Sequence, residues 1–166
     1  MNTTLEAAAV IVLHGRKVVG GYAEGEALVT HDTISGWGGI NPLTGTVIET
    51  RHELRGQSFK DKILVFPGAK GSSGWSAAFH VTRITGTAPK AMVFNEMTTK
   101  IALGAVVMRI PSVTGLDRDP LQLIRTGDWV AVDGDRGIVE IRSRAGVHLL
   151  QQSRALAGQN SLEERL

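Results

Sequence analysis

With 166 residues, 42% of them hydrophobic and 20% charged, the chain has the length and composition of one folded domain with a real core, not of a disordered or fibrous protein. Its 18 Lys and Arg and 16 Asp and Glu are spread along the sequence to a formal net charge of +2, and its few aromatics are not interleaved with Arg or Lys, so no nucleic-acid surface is expected. The absence of cysteine excludes disulfides and any thiolate-held zinc or iron–sulfur cluster built from this chain alone.

The opening "MNTTLEAAAVIVLHGRKVVGG" has no basic segment ahead of its apolar residues and is interrupted by His14-Gly15-Arg16-Lys17. Neither a signal peptide nor a membrane span is expected, and the cytoplasm is the expected compartment. Twenty glycines punctuate short apolar runs throughout, a pattern of many strands and tight turns. Strands are predicted near 7–13 and 22–30, the second with a kink or bulge at Glu24-Gly25-Glu26. His31-Asp32 begin a loop, and "ISGWGGINPLTGTVIE" carries it on to a strand at Thr46-Val47-Ile48.

"DKILVFPG" is an unbroken apolar run and reads as a strand buried on both faces, ending at Pro67-Gly68. Trp75, Ala78, Phe79 and Thr82 recur at helical spacing, so a helix is predicted from Gly74 to Thr85 with Ser72 or Ser73 as its N-cap. "APKAMVF" is a second buried strand, "NEMTTKIALGAVV" a short helix followed by a strand, and "IPSVTG" a further strand and turn, a β-α-β-α-β rhythm. Trp129–Val132 and Ile138–Ile141 flank Asp133-Gly134-Asp135-Arg136-Gly137 as a β-hairpin. Residues 1–145 are expected to form one domain, and 146–166 a C-terminal helix and polar tail.

Chemistry concentrates in "FPGAKGSSGWSAAF". A strand, a glycine turn and a helix start present backbone N–H groups and a helix dipole to whatever sits in the turn, which suits an anion. The alternative is that the serines only cap the helix. Lys70 precedes Gly71 rather than following it, so the turn is no nucleotide P-loop, and no G-x-G-x-x-G follows the strand. The nucleophile elbow G-x-S-x-G is matched only loosely. In "THDTISGWGGINPLTG", His31, Asp32, Ser35 and Asn41 stand among glycines, either as a site or as an Ω-type loop with Trp37 tucked beneath it. Asn95 and Glu96 follow a buried strand and either face a cleft or begin a helix. The five histidines lack any metal-ligand spacing.

Taken in order, Gly25–Leu28, Ser35–Gly39, Pro42–Gly45, His52–Ser58 and Gly71–Ser76 resemble the G-E-A-L strand, W-G-G loop, P-x-T-G turn, H-x-L-x-G-x-S segment and serine turn of the small subunit, or swivelling domain, of the aconitase X family. The similarity runs over about residues 8 to 142. It departs at the serine turn: Gly74-Trp75 stand where the family has a further serine and a glycine before the last serine, and Lys70 stands where Arg is common.

The resemblance implies an α/β fold, β-rich with short helices: a swivelling β/β/α domain like the mobile domain of aconitase. It implies a hydro-lyase, inactive without a large subunit that carries an iron centre or iron–sulfur cluster; no metal or cofactor is expected on this chain. Ser72 is implied as the base, with Ser73 as the alternative, acting as an alkoxide on a small hydroxy acid. Lys70, Gly71 and Gly74 would hold the substrate carboxylate or the alkoxide, and Ser35 and Asp32 would contact the substrate or the interface. The lack of arginines near the turn points toward cis-3-hydroxy-L-proline over mevalonate 5-phosphate. A module that binds a small acid without reaction is the rival reading; a phosphohistidine carrier would need a histidine at the turn, and His80 lies too far along the helix.

Overall fold

The computed structural model describes residues 10–142. The predicted tail at 146–166 and the first residues of the strand predicted at 7–13 lie outside this range. Two long stretches of extended chain set the architecture. The first is β1 (Val10–His14) and β2 (Arg16–Val19), separated only by Gly15; the second is β3 (Tyr22–Val29).

Three further strands continue β3 as a parallel sheet: β7 (Ile63–Phe66), β9 (Ala91–Phe94) and β10 (Ser112–Thr114). The hairpin of β11 (Trp129–Asp133) and β12 (Ile138–Arg142) lies on the other side of β3. The resulting eight-stranded order is β1-β12-β11-β3-β7-β9-β10-β2. In a flat sheet its first and last strands would stand about 34 Å apart at roughly 4.8 Å per strand. One residue joins them here, so the sheet rolls round on itself.

Both long stretches change partner on the way. Tyr22–Glu26 pair antiparallel with β11, whereas Ala27–Val29 pair parallel with β7. Likewise β1 pairs with β12 in continuous register, Val10 opposite Arg142 through His14 opposite Ile138, and β2 pairs with β10. Strands that pass from one sheet to the next make the corners of a closed, two-layered β structure.

Period-two alternation then fills two cores. In β7, Ile63 and Val65 point between the sheets, where they meet Leu13, Ala27, Val113, Val130, Val132 and Val139. Leu64 and Phe66 point the other way, as do Met92 and Phe94 of β9, onto Trp75, Ala78, Phe79, Ile101 and Ala105 of two helices. These are α1 (Trp75–Thr85) and α2 (Thr99–Met108). Sheet, sheet and helices thus form β/β/α layers, the α/β class expected, and β7 and β9 are unbroken apolar runs because both of their faces are covered.

Several local expectations give way. No bulge interrupts β3 at Glu24–Glu26, whose register with β11 is continuous; the irregularity falls between Ser112 and Val113. Val106 and Val107 finish α2 instead of starting a strand, because Ile101, Ala105 and Met108 at spacings of four and three are buried against α1 and the sheet. β2 and the short α3 (Pro120–Leu123), whose start is capped by Asp119 accepting from Leu121 N–H, were not anticipated.

The segment between β3 and β7 holds only two-residue strands: β4 (Ile34–Ser35), β5 (Ile40–Asn41) and β6 (Thr46–Val47). It is nonetheless anchored, since Ile34, Ile40, Val47, Leu54 and Phe59 are buried in the core beneath the helices.

Candidate functional site

Chain leaving the carboxyl end of β7 passes Pro67 and Gly68 and forms β8 (Ala69–Lys70), which pairs parallel with β4 so that Lys70 lies opposite Ser35. Gly71 then takes φ +92°, a left-handed conformation that L side chains rarely adopt, and turns the chain into α1. Gly71, Ser72 and Ser73 are all exposed. The predicted strand, turn and helix are therefore present, with the hydroxyls outward at the end of a buried strand.

The N-cap expectation fails in detail. Gly74 occupies the cap, and no side chain caps the helix. Ser72 Oγ instead accepts from Gly74 N–H at 3.3 Å, and Ser76 Oγ donates to Ser73 O at 3.3 Å. The Ser72 hydroxyl thus has one backbone donor aimed at it beside the positive end of an eleven-residue helix, both of which favour negative charge on the oxygen.

Below the turn Trp75 locks the helix start in place. It is 1% exposed, stacks on Phe79 at 4.1 Å between ring centroids, and donates Nε1–H to Ile34 O at 2.9 Å, tying α1 to the W-G-G segment. Trp37 is not tucked beneath its loop. It is 57% exposed and lies against the turn, where a Cβ on Gly74 would come within 2.9 Å of its Cδ1.

Two cations flank the turn. Lys70 Nζ lies 2.6 Å from Glu49 Oε1, while Lys100, in the first turn of α2, donates to Gly71 O at 2.7 Å. An ammonium has three N–H donors, so each retains capacity for a ligand. Lys100 also lines a cleft of about 370 Å³ with Gly71, Ser73, Thr98, Thr99 and Leu103. Thr98 is the N-cap of α2 but makes no side-chain cap bond, and its Oγ1 is buried without a partner. Glu49 Oε2 is buried and unpartnered as well; such an oxygen costs on the order of 1–3 kcal/mol.

The remaining candidates separate. Ser35 is brought to the turn by its pairing with Lys70. Asp32 spends its carboxylate on the backbone, accepting from Glu53 N–H at 2.9 Å, and its neighbours His31 and Glu53 line a different cleft with Arg125 and Thr126. Asn95 and Glu96 direct their backbone N–H groups to Pro67 O, and Asn95 Nδ2 donates to Asp119, so neither starts a helix. His52 is buried, with Nδ1 accepting from Leu54 N–H. Among the described residues no three His, Asp or Glu side chains converge as metal ligands. Nor is any helix among them long and apolar enough to cross a membrane. Glu49, Thr98 and Lys100 were missed because the fold, not sequence spacing, carries them to the turn.

Comparison with known proteins gives a consistent picture. Residues 12–141 match the family model described as the aconitase X swivel domain. The phosphomevalonate dehydratase small subunit of Methanocella arvoryzae is 43% identical over 129 residues, 78% of this chain and 98% of that protein. The protein of the same name from Thermococcus kodakarensis is 44% identical over 129 residues, covering 78% of this chain and 95% of its own. In three dimensions, the crystal structure of Thermococcus kodakaraensis aconitase X in its holo-form superposes with a TM-score of 0.75 at 44% identity, over 79% of this chain and 98% of that one.

Proposed function

This chain belongs to the aconitase X swivel-domain family, and from that premise we propose that it is the small subunit of a hydro-lyase, supplying the base that removes a proton from a small hydroxy acid held mainly by a large subunit. The observation that carries the reading is the exposed Gly71–Ser73 turn, with Ser72 Oγ receiving a backbone N–H at the start of α1, Lys70 immediately preceding the turn and Lys100 donating to Gly71 O.

Among the described residues no three His, Asp or Glu side chains converge as ligands for iron, and by this reading the chain's own part in the reaction is the proton transfer. An isolated serine hydroxyl is far too weak a base for a carbon acid. The Gly74 N–H, the α1 dipole and the nearby ammonium groups all lower the cost of its ionised form. Ser72 Oγ then takes the proton from carbon. The C–H electron pair becomes the new double bond as the C–O bond on the adjacent carbon breaks, and hydroxide plus the proton left on serine sum to the water released. Lys70 and the N–H groups of the turn hold the carboxylate next to that proton. An iron centre, by this reading, resides in the large subunit.

For the substrate, the reading moves to mevalonate 5-phosphate. The relatives at 43% and 44% identity carry that activity in their names. The argument from missing arginines also weakens, because Lys100 is a second cation at the turn that spacing along the chain does not reveal.

The test is to copurify the chain with its large subunit and assay dehydration of mevalonate 5-phosphate and cis-3-hydroxy-L-proline in parallel. Turnover of the first is expected, with Ser72→Ala reducing kcat by roughly 10³-fold or more while the complex still assembles and Ser73→Ala costing about tenfold or less. Turnover of hydroxyproline alone would restore the other substrate. Activity within a few-fold of the parent in Ser72→Ala would place the base elsewhere.

A further inference from the structure

Glu49 lies in none of the chemistry-bearing stretches of the sequence, yet its Oε1 is 2.6 Å from Nζ of Lys70, the cation two residues before Ser72. Both partners are anchored at the backbone. Lys70 is fixed by the pairing of β8 with β4, and Glu49 by a turn in which His52 N–H donates to Glu49 O at 3.2 Å. Between these anchors the lysine stem is flexible, and a side chain 43% exposed would sample many rotamers if left alone. A short charge-assisted bond selects one of them.

A role in stability alone does not account for the arrangement. Ion pairs this exposed contribute little, whereas the second oxygen of Glu49 is buried without a donor, a penalty the pair does not offset. We propose that Glu49 is a positioning residue: it holds the Lys70 ammonium beside the serine turn, with two N–H donors left for the substrate carboxylate or the serine alkoxide. The inference rests on the reading of the Ser72 turn given above.

A double-mutant cycle in the complex with the large subunit, assayed on whichever of mevalonate 5-phosphate and cis-3-hydroxy-L-proline it dehydrates, tests the idea. Glu49→Gln is expected to lower kcat about tenfold with KM changed less than about threefold, because a neutral amide no longer fixes the ammonium. In a Lys70→Met background the same substitution should have no further effect, since Glu49 acts only through Lys70. Lys70→Arg, which preserves the pair, should retain most activity. The proposal is overturned if Glu49→Gln stays within about twofold of the parent, if its effect is undiminished in Lys70→Met, or if the loss tracks a lowered thermal midpoint of the complex. Full activity in both Ser72→Ala and Lys70→Met would instead bring down the reading of the turn itself.

Discussion

Substituting Gly104 by Ala tests the contact on which the serine turn is seated. On helix propensity alone the change stabilises, by about 1 kcal/mol for a residue inside a helix. The structure predicts the opposite sign. A Cβ at Gly104 would lie 2.3 Å from Cζ3 and 2.9 Å from Cε3 of Trp75. Carbon atoms in contact sit about 3.5–4.0 Å apart, so α1 and α2 would have to separate by more than about 1 Å. Trp75 has no room to retreat: it is 1% exposed, stacked between Phe66 and Phe79, and its Nε1 is held by Ile34 O. Overpacking of this severity costs about 3 kcal/mol, so roughly 2 kcal/mol of net destabilisation remains after the propensity gain. For a chain of this size that is a fall of about 4–8 °C in Tm. Urea unfolding of the full chain measures it directly, and the cost should shrink when Trp75 is shortened to Phe. A Gly104→Ala protein as stable as the parent would refute the account of how α1, and the turn in front of it, is held.

Other expectations concern the cations and the one tyrosine. Lys100→Met should raise KM for the substrate about tenfold and Lys100→Arg much less, because the ammonium both ties down Gly71 O and faces the cleft; unchanged steady-state kinetics would remove Lys100 from the site. Tyr22 donates to Glu24 Oε2 at 2.8 Å, and that bond, followed by burial, raises its phenol above the ordinary value. The neutral phenol is thus favoured by folding, a contribution present below the unfolded pKa and lost as pH climbs through the folded one. As the only tyrosine in the sequence, it can be followed by ultraviolet titration, and Glu24→Gln should bring its midpoint down.

The sheet was legible in the sequence wherever both faces of a strand are covered. Ile63–Phe66 and Ala91–Phe94 announce themselves as unbroken apolar runs, and the glycine turn after the first shows where the chain reverses. Edges carry a weaker signal. Arg16 and Lys17 of β2 are exposed, and nothing in their chemistry marks a strand that pairs with β10 across the seam. The β-branched Val106 and Val107 point toward a strand by propensity, and tertiary packing of the preceding turns overrides them. At the site, Gly71, Ser72, Ser73 and Lys70 could be named because they are consecutive. Glu49 and Lys100 arrive from a loop and a second helix, and only the fold assembles them.

One consequence follows from the pairing of Val10 with Arg142. The first and last described residues are neighbours across a single ladder, so the polypeptide enters and leaves this unit at one point on its rim. A body tethered at one point can rotate as a whole without shearing its interior. Its two ends are also close enough that the unit could be spliced into a longer chain, or joined end to end and reopened at an exposed loop, without disturbing either hydrophobic layer.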